Sequence, residues 1–283
     1  MNKSILAVLQ HASRTLALAG VEDAPRDARL LMAFVLGFEQ HQIALHLNSI
    51  LDASQEAAFT AAIIKRTKRI PMSYILGYRD FFEHRFLLTP DVLDPRPETE
   101  QLVSRALCED FDTILDLGTG SGCILLSLLA KRPLAHGMGV DQSAEAIAVA
   151  KLNAEQLHLT ERADLRVSNW FSNISDTRFD LIVSNPPYIH PSCMVELSAE
   201  VLHEPELALT DNKDGLSHYR HIAQHAHKFL AKEGRLIFEI GFDQGDAVSE
   251  ILAQWCFCDI VVSHDLNHYP RVVSCRMSGF YIN

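Results

Sequence analysis

What this 283-residue chain lacks narrows its function before any motif is read. Its six cysteines, Cys108, Cys123, Cys193, Cys256, Cys258 and Cys275, form no CxxC pair and no even secretory spacing. That pattern excludes a disulfide framework or a cysteine-based zinc site and predicts reduced, mostly buried thiols. No run approaches the roughly 18 apolar residues of a membrane-crossing helix. The start, Met1-Asn2-Lys3-Ser4-Ile5-Leu6, leads into polar His11 and Arg14 without the apolar core of a secretory leader, so a soluble cytoplasmic protein is expected. Basic residues are outnumbered, 25 Lys and Arg against 36 Asp and Glu, for a net charge of -11. Static nucleic-acid binding draws on clustered Lys and Arg, so a protein or small-molecule partner is expected instead. His218, His221, His225 and His227 include an i, i+4 pair, but no HExxH and no cysteine pair accompany them, and no metal is expected. A GxSxG elbow is missing too, which sets aside the commonest hydrolase reading.

The chain does have apolar residues enough for a sizeable core, 48% of the total, and a length that suits one large domain plus a small one. Residues 1–75 carry helical periodicity: Ile5, Leu9, Ala12 and Leu16, then Ala28, Leu31, Met32 and Val35, then Ala57, Ala58, Ala61 and Ile64. Gly20, Pro25, Gly37 and the stretch 52–54 punctuate them into a bundle of four or five helices. The basic run Lys65-Arg66-Thr67-Lys68-Arg69 reads as a helix end complementing its dipole rather than as a steering patch. Residues 76–97 read as a hairpin linker, with aromatic and β-branched runs at Tyr74-Ile75-Leu76-Gly77 and 81–88 broken by Pro90, Pro95 and Pro97. Residues 98–283 form the second domain. From Thr113 strands (113–117, 136–140, 163–168, 179–184, 234–240, 257–263, 271–280) mostly alternate with helices (121–131, 143–157, near 214–231, 243–254). This is the pattern of a doubly wound α/β sheet, mostly parallel, with ligands at the carboxyl ends of its strands. No helix separates the last two strands, so the final one is expected antiparallel.

Two strand ends carry chemistry. The first runs into Asp116-Leu117-Gly118-Thr119-Gly120-Ser121-Gly122. Glycines there let the backbone approach a ligand, and the helix start offers free N–H groups. The spacing is GxGxG, which resembles the adenosylmethionine-binding type more than the dinucleotide GxGxxG. The next strand ends at Asp141, where a carboxylate can accept both ribose hydroxyls; its alternative is a helix cap. Trp170, at the end of the third strand, offers a flat face for adenine or for closing the pocket, while Phe171 is left to the core.

The other end is Asn185-Pro186-Pro187-Tyr188. The Asn185 side-chain oxygen and the Pro186 carbonyl are two acceptors, and Pro186 has no N–H to compete. Together they can grip both N–H bonds of an NH₂ group and aim its nitrogen at an incoming methyl, with Tyr188 covering the flat substrate. Asn is no useful base, so the proton is expected to leave only after transfer.

With these motifs the chain resembles the peptide chain release factor glutamine methyltransferases along nearly its whole length. The resemblance extends over Pro71 to Gly77, Val92-Leu93-Asp94-Pro95-Arg96-Pro97-Glu98-Thr99-Glu100, the glycine loop, Ser184 to Ile189, Glu204 to Leu209, Asp214-Gly215-Leu216, Glu239-Ile240-Gly241 and Gln244-Gly245. It implies a class I methyltransferase domain with a seven-stranded, mostly parallel sheet behind a helical domain that recognises the release factor. It implies transfer of a methyl group from S-adenosyl-L-methionine to the glutamine amide nitrogen of a Gly-Gly-Gln loop. It further implies that Gly118, Thr119, Gly120, Ser121, Gly122, Asp141, Trp170 and Asn185 hold the cofactor and that Asn185, Pro186, Pro187 and Tyr188 hold the glutamine. The reactive motifs are shared with nucleobase amino methyltransferases, so Pro95 to Glu100, pictured as a stiffened strand, does more to choose the substrate; ribosomal-protein glutamine enzymes look different there. Asp94, Asn169 and Asn212-Lys213 depart from the family's usual residues. A nicotinamide-dependent oxidoreductase is the alternative from another class, and the glycine spacing and the NPPY motif oppose it.

Overall fold

A computed structural model of the chain describes residues 3–175 and 177–277. They divide into two compact units, residues 1–77 together with Ser198–His203, and residues 78–197 together with 204–283.

The first unit is helical. Helix α1 (Ile5–Leu18) starts where the Ser4 hydroxyl accepts the Ala7 N–H, and α2 (Ala24–Leu36) carries Pro25 in its first turn and ends at Gly37, whose φ of 67° suits a residue without Cβ. A 3₁₀ turn, Gln40–His46, leads to α3 (Ala53–Thr67), which opens on a reciprocal cap between Asp52 and Gln55. The short α4 (Met72–Leu76) closes the unit. Ile5, Leu9, Leu16, Leu31, Met32 and Phe59 make its core. In α3 the period is as expected and the face is not: Ala57, Ala58, Ala61 and Ile64 are exposed, and Phe59, Ala62 and Ile63 are buried. Alanines bury too little area to choose a face, and the one large ring on the helix decides it. The basic run also does more than end a helix. Arg66 is buried, its Nε 2.7 Å from Asp27 and its Nη1 2.9 Å from Glu200, and Arg69 Nη2 meets the same Glu200 at 2.6 Å. Partial burial works against the Glu200 charge, yet the bonds from Arg69 and Arg66 together hold it down to about 2.

Tyr74 to Leu76 belongs to α4, so the hairpin proper begins later, in the second unit, with β1 (Tyr78–Phe81) and β2 (His84–Leu87). Its two-residue turn, Phe82-Glu83, has positive φ at both positions, as a primed turn requires. Residues 97–99 form a 3₁₀ turn rather than a strand, and it leads directly into α5 (Glu100–Leu107), which the sequence reading did not place. The main sheet follows: β3 (Thr113–Leu117), α6 (Cys123–Lys131), β4 (His136–Asp141), α7 (Ala144–Gln156), β5 (Ala163–Val167) and β6 (Phe179–Ser184). After the single-turn α8 (Glu206–Leu209) come α9 (Ser217–Ala226), β7 (Leu230–Glu239), α10 (Gly245–Gln254), β8 (Phe257–His264) and β9 (Pro270–Met277). Helix α9 is shorter than the 214–231 expected, because β7 already begins at Leu230. Positions 278–280 of the expected last strand lie outside the described residues.

The seven strands run in the order β5-β4-β3-β6-β7-β9-β8, all pairs parallel except those of β9, which is antiparallel to both neighbours as expected. The order reverses between β3 and β6, where Leu117 pairs with Ser184. Such a reversal opens a crevice beyond the carboxyl ends of the two strands, and the residues that follow them are Gly118 and Asn185. One face of the sheet packs Leu125, Leu128 and Leu102, the other Tyr219, Ile222 and Leu252, both fully buried.

The thiols are a correction. Cys123 and Cys275 are buried, but Cys108, Cys193, Cys256 and Cys258 are exposed. Three of these stand at a helix end, in a 3₁₀ turn and at a turn with φ of 58°, and Cys258 lies on the open side of edge strand β8, places where hydrophobicity does not decide burial. Among the described residues no group of three or more His, Cys, Asp or Glu side chains is arranged to hold a metal ion, and no helix is long and apolar enough to cross a membrane.

Candidate active site

A cleft of about 690 Å³ opens at the reversal point. The Ser184 hydroxyl donates to the Leu117 carbonyl at 2.6 Å and ties the two strand ends together. Beyond β3 the backbone turns sharply, with φ of 73° at Gly118 and 54° at Gly120, and the N–H groups of Gly118 and Thr119 both reach the Val140 carbonyl. A side chain at Gly118 would be strained by that φ and would extend toward the Trp170 ring, 3.8 Å away. Asp141 completes the turn: one carboxylate oxygen accepts the Gly120 N–H and the other the Ser143 N–H, each at 3.0 Å. The cap of α7 is Ser143, whose hydroxyl accepts from Ala146, so Asp141 is left to face the cleft.

Gly118, Gly120, Asp141, Trp170, Asn185 and Pro187 line this space. Thr119, Ser121, Gly122, Pro186 and Tyr188, expected to hold ligands, are absent from its lining. The first three build the loop. Thr119 donates to Asp116 at 2.7 Å, Ser121 offers its carbonyl to Asn153 at 2.9 Å, and Gly122 leaves room for Leu126 and Ala150. Trp170 is tilted against His218 with ring centres 4.9 Å apart, and Phe171 stacks on Phe229 in the core, as expected of it.

The electrostatics are those of carboxylates short of partners. Asp116 is fully buried, and burial pushes it up to about 7 despite the Thr119 hydroxyl; its Oδ1 has no hydrogen bond. Asp141 is raised as well, by burial, with the Ser143, Gly120 and Gln142 N–H groups offsetting part of the effect.

On the β6 side, Asn185 donates from Nδ2 to the Thr99 hydroxyl at 3.4 Å, which leaves its Oδ1 as a free acceptor. The Tyr188 hydroxyl lies 3.5 Å from Glu239 Oε1. Its carbonyl is held by Gln244 Nε2 at 3.1 Å, and Gln244 also binds the Gly215 carbonyl and accepts from the Gly241 N–H. Gln244 thus pins the segment that follows β6 to the end of β7. The Glu239-Ile240-Gly241 and Gln244-Gly245 stretches, which the sequence offered without a mechanism, acquire one here.

Sequence reasoning gave no role to the cleft's other wall, made by Asp91, Val92 and Leu93 and by Pro205, Leu207 and Ala208. Glu204 staples these two segments: its carboxylate accepts the Asp94 N–H at 3.2 Å and Arg96 Nη2 at 2.6 Å. Asp94, one of the departures from the family pattern, is buried there with Arg79 at 3.6 Å. Asn169 lines the cleft, and Asn212 takes a φ of 54°, within reach of an asparagine where glycine is usual. The signal that could have found this wall was the joint appearance of Val92 to Glu100 and Glu204 to Leu209 in the resemblance.

Residues 7–77 match the family model described as the PrmC N-terminal domain, and residues 94–245 match the methyltransferase small domain. The chain is 46% identical to a release factor glutamine methyltransferase of Cereibacter sphaeroides over 95% of its own length and 97% of that protein's. It is 38% identical to one of Geobacter sulfurreducens, covering 97% of each chain. Among solved structures, a methyltransferase from Pyrococcus furiosus shares the fold with a TM-score of 0.53 at 14% identity, over 68% of this chain and 87% of that one. A cleft at the β3/β6 reversal, a glycine turn on one side, an asparagine and two prolines on the other, and this degree of identity over the full length lead to one conclusion: the chain belongs to the release factor glutamine methyltransferase family.

Proposed function

We propose that the protein methylates the side-chain amide nitrogen (N5) of the glutamine in the Gly-Gly-Gln loop of peptide chain release factors, with S-adenosyl-L-methionine as donor, and that residues 1–75 grip the factor. One observation carries the reading: Leu117 pairs with Ser184, so the glycine turn and Asn185 leave neighbouring strands side by side.

The cleft suits this cofactor. Asp141 on the cleft wall, and Asp116 fully buried behind the glycine turn with no partner for its Oδ1, favour a ligand of positive charge. Asp141 has acceptor capacity left for ribose hydroxyls, since each of its oxygens takes one backbone N–H. Trp170 and Asn169 provide a flat face and an amide for adenine. When bound, adenosylmethionine supplies a methyl group on a sulfonium sulfur, an electrophile whose leaving group is neutral.

The protein's share is positioning. Asn185 Oδ1 and the Pro186 carbonyl accept the two N–H bonds of the glutamine amide. Thr99, by engaging Nδ2, fixes which end of the Asn185 amide is presented. Pro186 and Pro187 stiffen the segment, and the Tyr188 ring covers the amide plane. No general base is needed, because the methylated nitrogen is acidic enough to lose its proton to water once transfer is complete. The protein thereby acts in the cytoplasm on a substrate of translation termination.

The test is incubation of the purified protein with labelled adenosylmethionine and a release factor, followed by mass spectrometry of the Gly-Gly-Gln peptide. A methyl group on that glutamine is the expected result. Label on another residue, on a ribosomal-protein glutamine or on nucleic acid instead would overturn it.

A further inference from the structure

Glu239 is the last residue of β7, 1% exposed, and no reaction step derived above uses it. Two side chains of the reactive corner meet it, and a third reaches it through one of them. The Tyr188 hydroxyl lies 3.5 Å from its Oε1, and the Thr99 hydroxyl faces the carboxylate and stabilises its charge. Thr99 is also the acceptor of the Asn185 Nδ2 bond at 3.4 Å. A hydroxyl has a single proton to give. If Thr99 accepts from Asn185, that proton is free to go to the carboxylate, and the chain Asn185 to Thr99 to Glu239 acquires one direction.

We propose that Glu239 is a positioning residue for methyl transfer: its ionised carboxylate draws the protons of Thr99 and Tyr188, and Thr99 in turn holds the Asn185 amide with its oxygen presented to the substrate NH₂. This rests on the proposed function and names the residue that orders its acceptor grip. A neutral Glu239 would carry a proton of its own. It could then donate to Thr99, reverse the chain, and release the Asn185 amide to turn over.

The surroundings make both states accessible. Burial raises Glu239 to about 7; Thr99 and Arg271 on β9 pull it down, and Glu98 in the 3₁₀ turn pushes it up. Arg271 is shared with Asp265 at 3.3 Å. The Tyr219 hydroxyl on α9 binds the Glu239 main-chain carbonyl at 3.0 Å, and the Cys123 thiol on α6, itself pushed up to about 12 by burial, stays neutral beside it. Tyr188 is raised by burial and by Glu239, so it remains a donor. Glu239 Oε2 has no partner, so nothing else fixes its charge.

The experiment measures kcat and KM of the full chain, with adenosylmethionine and a Gly-Gly-Gln peptide, from about pH 5.5 to about pH 9, for the parent, Glu239→Gln, Thr99→Val and Thr99→Ser. The parent's kcat should rise with pH through an inflection near 7, and Glu239→Gln should lose that inflection. Thr99→Val should cut kcat by about 10-fold, with the KM for adenosylmethionine within about twofold of the parent, and Thr99→Ser should recover most of the loss. An inflection that survives in Glu239→Gln would overturn the proposal, and so would Thr99→Val turning over like the parent or Thr99→Ser failing to rescue. If Glu239→Gln does not fold, the valine and serine pair decides alone. Methylation by the parent of some other amine would sink the substrate assignment, while the same variants on that amine would still test the grip.

Discussion

The two units of this protein differ in how completely they match buried charge: the helical unit pairs it, whereas the sheet unit pairs Glu204 with Arg96 and Arg235 with Glu109 but leaves two carboxylates short of partners. In the helical unit, Arg66 is the one buried charge among the described residues, and it is matched on two sides, by Asp27 at 2.7 Å and Glu200 at 2.9 Å. In the sheet unit, Asp116 and Glu239 are each fully enclosed with one carboxylate oxygen unbonded, and both are driven up to about 7. A matched charge serves the fold, since removing one partner strands the other. An unmatched one costs stability and persists where something binds or reacts nearby. The contrast separates scaffold from site without reference to any relative.

Three substitutions test the contrast. The largest effect on stability is expected from Arg66→Ala, which strands Asp27 and leaves Glu200 to Arg69 alone. Because Glu200 keeps 22% side-chain exposure, the loss should fall at the low end for buried pairs, about 3 kcal/mol, read by urea unfolding. A loss below about 0.5 kcal/mol would put the pair in the class of surface bridges. Next comes Asn185→Ala, which removes a side-chain acceptor from the reactive corner. Turnover should drop by about 10² to 10³, with circular dichroism unchanged, by analogy with the loss of a single transition-state hydrogen bond. Unchanged turnover would remove Asn185 from the mechanism.

The smallest effect, of opposite sign, is expected from Asp116→Asn in the protein without cofactor. The folded value lies near 7 against 3.8 unfolded, so the fold binds this proton more tightly than the open chain does. Ionisation therefore costs stability progressively as pH rises from about 4 to about 7, and the full penalty stands above that. The asparagine escapes it. Thermal unfolding should show the variant gaining on the parent across that window, by something on the order of 2 kcal/mol at pH 8, with the gain vanishing near pH 4. A gain that did not depend on pH would mean that packing, not charge, explains it.

Much of the sheet was legible because central parallel strands are continuous apolar runs between glycine and proline stops. Strands 113–117 and 179–184 fall where the sequence put them, and the site's two anchors, Gly118 and Asn185, are the residues immediately after. The antiparallel last strand was legible from a missing helix. Where hydrophobicity is weak, pattern does not decide structure: the alanines of α3 point to a face that Phe59 overrules, and the Tyr74 to Leu76 run has the composition of a strand although Gly77, with φ of 79°, closes a helix there. The opposite wall of the cleft and Glu239 were out of reach for another reason. They join the site through tertiary bonds over 110 residues from Asp94 to Glu204 and 51 from Tyr188 to Glu239, and no periodicity encodes those.

The six residues Ser198–His203 belong with the first 77 although 120 residues separate them, and Glu200 among them supplies the carboxylate that Arg66 and Arg69 share. The bundle is therefore not a cassette. A gene fragment cut after Gly77, or a chimera that exchanges only the leading segment between relatives, would inherit two arginines without their common counterion, so any exchange of this unit must carry both pieces of chain.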